Sequence, residues 1–313
     1  MSRWLRRSIL LFLFYLAATA MIAVVTMEGA FHPAHRPLTA DDEKTMSQIV
    51  RGLDATLKDV SITTSDGAQL KAWNIQPAHA NGNTVLLLHG LGDNRLGMTG
   101  YAELFLSHGY SVLMPDARAH GNSGGRIATY GFLEQNDIHQ WFEWIIFNQN
   151  PKCVYGFGES MGAAQLLQSL QVEHHFCAVT AESPFSTFRE IAYDRVGQFF
   201  KTGPWLGRTL FRPTVELAFL YARWRYKVDL SQVSPEQAVS TTKTPVLLIH
   251  GTVDRNIPAR HSLIIAAANQ KVVLWKVSNA DHCGAFSTSP AEFETKVISW
   301  TTSHPEERFI SSN

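Results

Sequence analysis

The chain has no surplus of charge of either sign: 27 Lys and Arg stand against 27 Asp and Glu in 313 residues. No basic stripe marks a nucleic-acid surface, and no acidic run marks a solvating tail. Cysteine is scarce as well. Cys153, Cys177 and Cys283 match no zinc or redox spacing, and allow at most one internal bridge. Cys153 and Cys177 each open an apolar, strand-like run, where small buried thiols commonly pack, so all three are expected to be free. Internal repeats and low-complexity tracts are also missing, which leaves one large α/β domain with an appendage.

The appendage is the amino terminus. After Arg3, Arg6 and Arg7 comes "ILLFLFYLAATAMIAVVTM", Ile9 to Met27, with no charge before Glu28. As a helix it is about 28 Å long, close to the hydrocarbon thickness of a bilayer. Ala18-Thr19-Ala20 resembles a signal-peptide cleavage site, but the apolar run continues well past it. A buried core helix is a third reading, yet an all-round apolar helix at a chain end favours lipid. The expectation is a membrane anchor over 1–27, with the arginines on the cytoplasmic side and the globular part outside the cytoplasm. Cleavage would make the protein secreted.

A linker is expected over 28–45. Thr39-Ala40-Asp41-Asp42 reads as a helix start, with Met46, Ile49, Val50 and Leu53 at helical spacing behind it. Val60–Thr64 and Leu70–Ile75 flank the turn Ser65-Asp66-Gly67 as a hairpin. Short apolar runs then alternate with helix-length segments: Thr84–Leu88, Tyr110–Met114, Cys153–Phe157, Phe176–Thr180, Val246–Ile249 and Val272–Val277. That alternation marks a mostly parallel sheet covered by helices on both faces. The interval between Thr180 and Val246 is too long for a plain crossover. Rich in aromatics and arginines, it is expected to form a helical cap over about 184–244, within a domain running 46–313. Most of those aromatics should form the cap's own core, while some could line an acyl pocket or rest on a membrane.

Open parallel sheets bind ligands beyond the carboxyl ends of their strands. "CVYGFGESMGAA" places Ser160 in a Gly-x-Ser-x-Gly turn between a strand and a helix, where Gly158 and Gly162 relieve crowding. A serine hydroxyl needs a base to take its proton, and the base needs an acid to fix its tautomer. "PVLLIHGTVDRNIP" carries Asp254 after one strand, and "VVLWKVSNADHCGAF" carries His282 after the next. "TVLLLHGLGDN" leads into a loop at His89-Gly90-Leu91, so that the amides of Leu91 and Met161 could hold an oxyanion.

These segments, with "TTSDGAQLKAW" and "MPDARAHGNSGG", resemble the α/β-hydrolase superfamily from about Val60 to Trp300, most nearly its Bem46-like and serine-aminopeptidase-like serine hydrolases. The resemblance implies Ser160 as nucleophile, His282 as base, Asp254 as acid, and a hydrolysis without metal or cofactor. The substrate does not carry over with the fold, which hosts many chemistries; the expectation here is a carboxylic ester or thioester, a small molecule or a lipid-like acyl compound. A peptidase or an acyltransferase would use the same residues, and a non-catalytic tethered binding protein is a further alternative.

Several neighbours compete for these roles. Glu182 is a rival acid. Asp281 adjoins the histidine but should point away from it, and Glu159 should diverge from the hydroxyl and serve packing or helix-end electrostatics. His120 is expected to buttress its own loop, while His89 and His250 orient turns. Asp116 and Arg118 are expected to form a loop-fixing ion pair, and Asp137 to start a helix.

Overall fold

The computed structural model describes residues 2–305. The apolar amino-terminal run forms one helix, α1 (Arg3–Phe31), long and apolar enough to cross a membrane. Its first four turns are exposed all round. Beyond them Thr19, Ala23, Met27 and Phe31, spaced one turn apart, bury a single face. The helix continues past Glu28, whose carboxylate accepts the hydroxyls of Tyr221 and Tyr226. Helix α2 (Ala40–Gly52) begins at a reciprocal capping box between Thr39 and Asp42. The expected linker over 28–45 is therefore corrected: only 32–39 lies between helices. Side-chain contacts on Glu28 and Asp42 extend the helices from both ends.

A hairpin follows, β1 (Ala55–Thr63) and β2 (Gln69–Pro77). The chain then alternates through β3 (Thr84–Leu88), α3 (Thr99–Ser107), β4 (Ser111–Pro115), α4 (Glu134–Gln149), β5 (Val154–Glu159), α5 (Ser160–Ser169) and β6 (Ala178–Glu182). Four helices are inserted next: α6 (Phe188–Phe199), α7 (Trp205–Arg208), α8 (Arg212–Tyr226) and α9 (Pro235–Thr241). The alternation resumes with β7 (Val246–Gly251), α10 (Arg260–Ala268), β8 (Val272–Val277), α11 (Ala285–Thr288) and α12 (Pro290–Ser303).

The eight strands form one sheet in the order β1-β2-β4-β3-β5-β6-β7-β8. β1 and β2 are antiparallel to each other, β2 is antiparallel to β4, and every pair from β4 to β8 is parallel. Period-two alternation divides the core between the faces. Val85 and Leu87 of β3 pack with α2, α3 and α12, while Leu86 and Leu88 pack with α4, α5 and α10. A third apolar cluster joins the end of α1 to the inserted helices and to Met161.

The expectation of three free cysteines is corrected. Cys153 and Cys177 are disulfide-bonded, and Cys283 is the free one. The two stand at the entrances of neighbouring parallel strands. The Cys177 amide donates to Val154 O, which sets the Cα atoms 5.9 Å apart, inside the range a disulfide requires.

Candidate active site

From β3 the chain steps to β4 on one side, and from β4 it crosses back to β5 on the other. The segments leaving β3 and β5 therefore diverge and open a crevice at the carboxyl edge of the sheet. Ser160 lies in it. Its φ of 51° is in the left-handed region, a strained conformation for a residue with a Cβ. The turn closes only because its neighbours are glycines. A Cβ on Gly158 would stand 2.6 Å from Gly162 O, and one on Gly162 would stand 2.3 Å from Leu88 O.

The Ser160 hydroxyl donates to His282 Nε2 at 2.9 Å, and His282 Nδ1 donates to Asp254 Oδ2 at 2.8 Å. The second Asp254 oxygen accepts the amides of Asn256 and Ile257, at 2.9 and 2.8 Å. Burial opposes the Asp254 charge, but hydrogen bonds from His250, His282 and Ile257 outweigh it and hold the carboxyl well below the usual carboxylate range. A carboxylate accepts only, so the imidazole is held with its proton on Nδ1 and its lone pair toward the serine.

The loop after β3 passes beside this row. A Cβ on Gly90 would lie 3.6 Å from that of Ser160. His89, buried and kept neutral by desolvation, sets the loop: Nδ1 donates to Gly90 O at 2.8 Å, and Nε2 accepts the Ala117 amide at 3.0 Å. Leu91 and Met161 both line the cavity in front of Ser160. Among the described residues the Leu91 amide meets no acceptor. The Met161 amide lies in the first turn of α5, where amides have no partner within the helix. The cavity holds about 930 Å³ and is walled mainly by Phe188, Phe199, Val215 and Phe219 of the inserted helices and by Phe211 just before α8.

The competing residues have other partners. Glu182 is buried, accepting the Tyr101 hydroxyl and the Ala285 amide, both at 3.0 Å. Asp281 accepts the amides of Arg255 and His282, while the His282 ring bonds Asp254. His120 donates from Nδ1 to Arg118 O within its own loop. The ion pair expected between Asp116 and Arg118 is corrected. Arg118 forks onto Asp137 at 2.7 Å and also reaches Asp66, while Asp116 pairs with buried Arg95 at 2.9 Å. Each of the two therefore pairs with a residue outside this loop. Asp137 stands in the first turn of α4.

His250 was expected to orient a turn, and it does bond Ile257 O in the loop after β7, but its contact with Asp254 had no signal in the sequence, nor had the end of α1 in the cavity wall. Away from the cavity, ligand atoms of His139, Glu143 and Glu173 lie within 4.8 Å of one another. Glu173 already accepts from His139 and His175, so the group is closed by its own hydrogen bonds.

Residues 85–295 match the model of the alpha/beta hydrolase family. The chain belongs to that family. The chain is 30% identical over 200 residues to the protein YqkD of Bacillus subtilis, a match spanning 63% of each chain, just under two thirds of that relative. It is 25% identical over 235 residues to YfhR of Escherichia coli, covering 73% of this chain and 74% of that one. Among solved structures, the esterase PF2001 of Pyrococcus furiosus superposes with a TM-score of 0.65 at 27% identity, over 82% of this chain and 94% of the esterase.

Proposed function

We propose that the hydrolase cleaves a carboxylic ester or thioester through an acyl-enzyme on Ser160. The observation that carries this reading is the hydrogen-bonded row Ser160–His282–Asp254, at 2.9 and 2.8 Å, at the mouth of an apolar cavity. Ser160 Oγ attacks the carbonyl carbon as His282 Nε2 takes its proton, and the carbonyl π pair moves onto oxygen. The Leu91 and Met161 amides receive that oxyanion; losing one such donor raises a barrier by about 2.7–4 kcal/mol. Collapse expels the alkoxide or thiolate, which takes the proton from His282. A water molecule then gives a proton to His282 and attacks the acyl carbon, and collapse returns Ser160 with the free acid. Asp254 stays ionised throughout and stabilises the transient imidazolium.

The same reading tethers the hydrolase through α1, with the globular part outside the cytoplasm. Arg3, Arg6 and Arg7 precede the apolar run, and a disulfide is at home in an oxidising compartment. The test is labelling of the full chain in detergent by a fluorophosphonate, beside Ser160→Ala and His282→Ala. Only the unaltered chain should label. Equal labelling of Ser160→Ala would overturn the assignment.

A further inference from the structure

The anchor helix does more than precede the domain. Ile22, Thr26, Met27 and Ala30 of α1 line the same cavity as Ser160 and His282. This part of α1 is fixed to the elbow: Met27 and Phe31 share one apolar cluster with Met161 and Phe219. The Tyr130 hydroxyl donates to Ala30 O at 2.6 Å, and the Ala128 amide donates to Phe31 O at 2.9 Å.

Length then sets the depth of the cavity against a bilayer. The apolar stretch of α1 that nothing covers, residues 9–17, is about 14 Å long at ~1.5 Å per residue. A hydrocarbon core of about 30 Å needs about eleven residues more, to the neighbourhood of Glu28. Any tilt takes more still. The lipid boundary therefore falls along the stretch of α1 that walls the cavity, from Ile22 to Ala30. The neighbouring surface suits that position. Helix α8 packs along α1 through Ala218 and Ala222, and it exposes Leu220 (61%) and Trp224 (69%) beside Arg223 and Arg225. Aromatic and basic side chains together are what the headgroup layer favours.

We infer that α1 is a wall of the substrate site, and that the substrate is a long-chain ester resident in the bilayer. Its acyl chain passes from the membrane along Ile22 and Thr26, beneath the inserted helices, to Ser160. A cavity of about 930 Å³ can take such a chain with room beyond it, since ligand pockets run to about 1,000 Å³. This inference rests on the acyl-enzyme reading.

The test uses the full chain reconstituted in phosphatidylcholine vesicles containing p-nitrophenyl palmitate, with p-nitrophenyl acetate as the soluble comparison. With bulk palmitate ester held constant, its hydrolysis should rise with its surface mole fraction. Ile22→Trp and Thr26→Trp should each lower the palmitate-to-acetate ratio of kcat/KM by at least about tenfold. An unchanged ratio in variants that still take the fluorophosphonate would overturn the inference and leave the Ser160 reading intact. If neither variant folds, the surface dependence decides: a palmitate rate indifferent to mole fraction, or a preference for acetate, overturns the inference. Failure of the unaltered chain to label would instead overturn the acyl-enzyme reading on which it stands.

Discussion

One oxygen of Asp254 serves two histidines: Oδ2 accepts from His282 Nδ1 at 2.8 Å and lies 3.3 Å from His250 Nε2. His250 is fully buried. Its Nδ1 accepts the Ser262 hydroxyl at 2.7 Å, and its Nε2 also donates to Ile257 O at 2.8 Å. His250 is thus a positioning residue that acts through Asp254. His250→Phe should lower kcat/KM about fivefold, the rate equivalent of a hydrogen bond of about 1 kcal/mol. The loss should fall on kcat with KM unchanged, since the aim of the imidazole and not substrate binding is disturbed. A purely structural role would lower stability and leave kcat of the folded protein unchanged.

Glu159 and Glu182 are register partners at the ends of β5 and β6. Desolvation first, then the charges of Glu182 and Asp93, push the Glu159 carboxyl up to about 7. The sign follows from proton counts. Between the unfolded value of about 4.3 and the folded value, the folded state holds the proton and the unfolded state does not. Stability is therefore lost as pH rises through that window and stays level above it. Glu159→Gln removes the penalty and should gain about 2 kcal/mol over the unaltered chain between pH 5 and pH 8. Urea unfolding at the two values checks this, and an equal effect at both would refute it.

The Cys153–Cys177 bridge closes a segment of 24 residues' separation around the elbow. Chain-entropy estimates for loops of that length give about 3 kcal/mol. Denaturing alkylation without reductant should therefore modify Cys283 alone, and all three cysteines after reduction. Cys153→Ala with Cys177→Ala should lower the unfolding midpoint, and reductant should then have no further effect. Three modified thiols without reduction would show that the bridge does not form.

The parts legible in the sequence are those governed by local periodicity. Strands buried on both faces read as apolar runs, so β3 to β8 were visible, and parallel strands deliver their following loops to one edge. That geometry is why Ser160, Asp254 and His282, far apart in the chain, could be placed together in advance. Contacts set by the third dimension were not legible. The spacing of Cys153 and Cys177 does not say that β5 and β6 are neighbours at their entrances. Arg118 pairs with Asp137 and Asp116 with Arg95, partners 19 and 21 residues away that only the folded chain brings within reach. The face Thr19–Ala23–Met27 of α1 is apolar among apolar residues, so nothing marked it as the side that meets α8.

A second row of the same chemistry supplies an internal control. Ser186 donates to His261 Nδ1 at 2.9 Å, and His261 Nε2 donates to Asp194 at 2.7 Å. The distances resemble those at Ser160, but the imidazole is reversed, with Nδ1 facing the serine and also accepting the Ser186 amide at 3.1 Å; Ser186, His261 and Asp194 are buried and none of them lines the cavity. Arg260 also donates to Asp194 at 2.7 Å, so the row ties the inserted helix α6 to α10. No carbonyl can approach Ser186. Ser186→Ala should therefore lose about 1 kcal/mol of stability, the worth of one hydrogen bond, while fluorophosphonate labelling persists. Ser160→Ala should do the reverse, abolishing labelling with stability little changed, because alanine keeps the Cβ and so the same backbone strain, and the half-buried position leaves His282 Nε2 within reach of water. Loss of labelling in Ser186→Ala at unchanged stability would mean that reactivity depends on more than hydrogen-bond geometry and access.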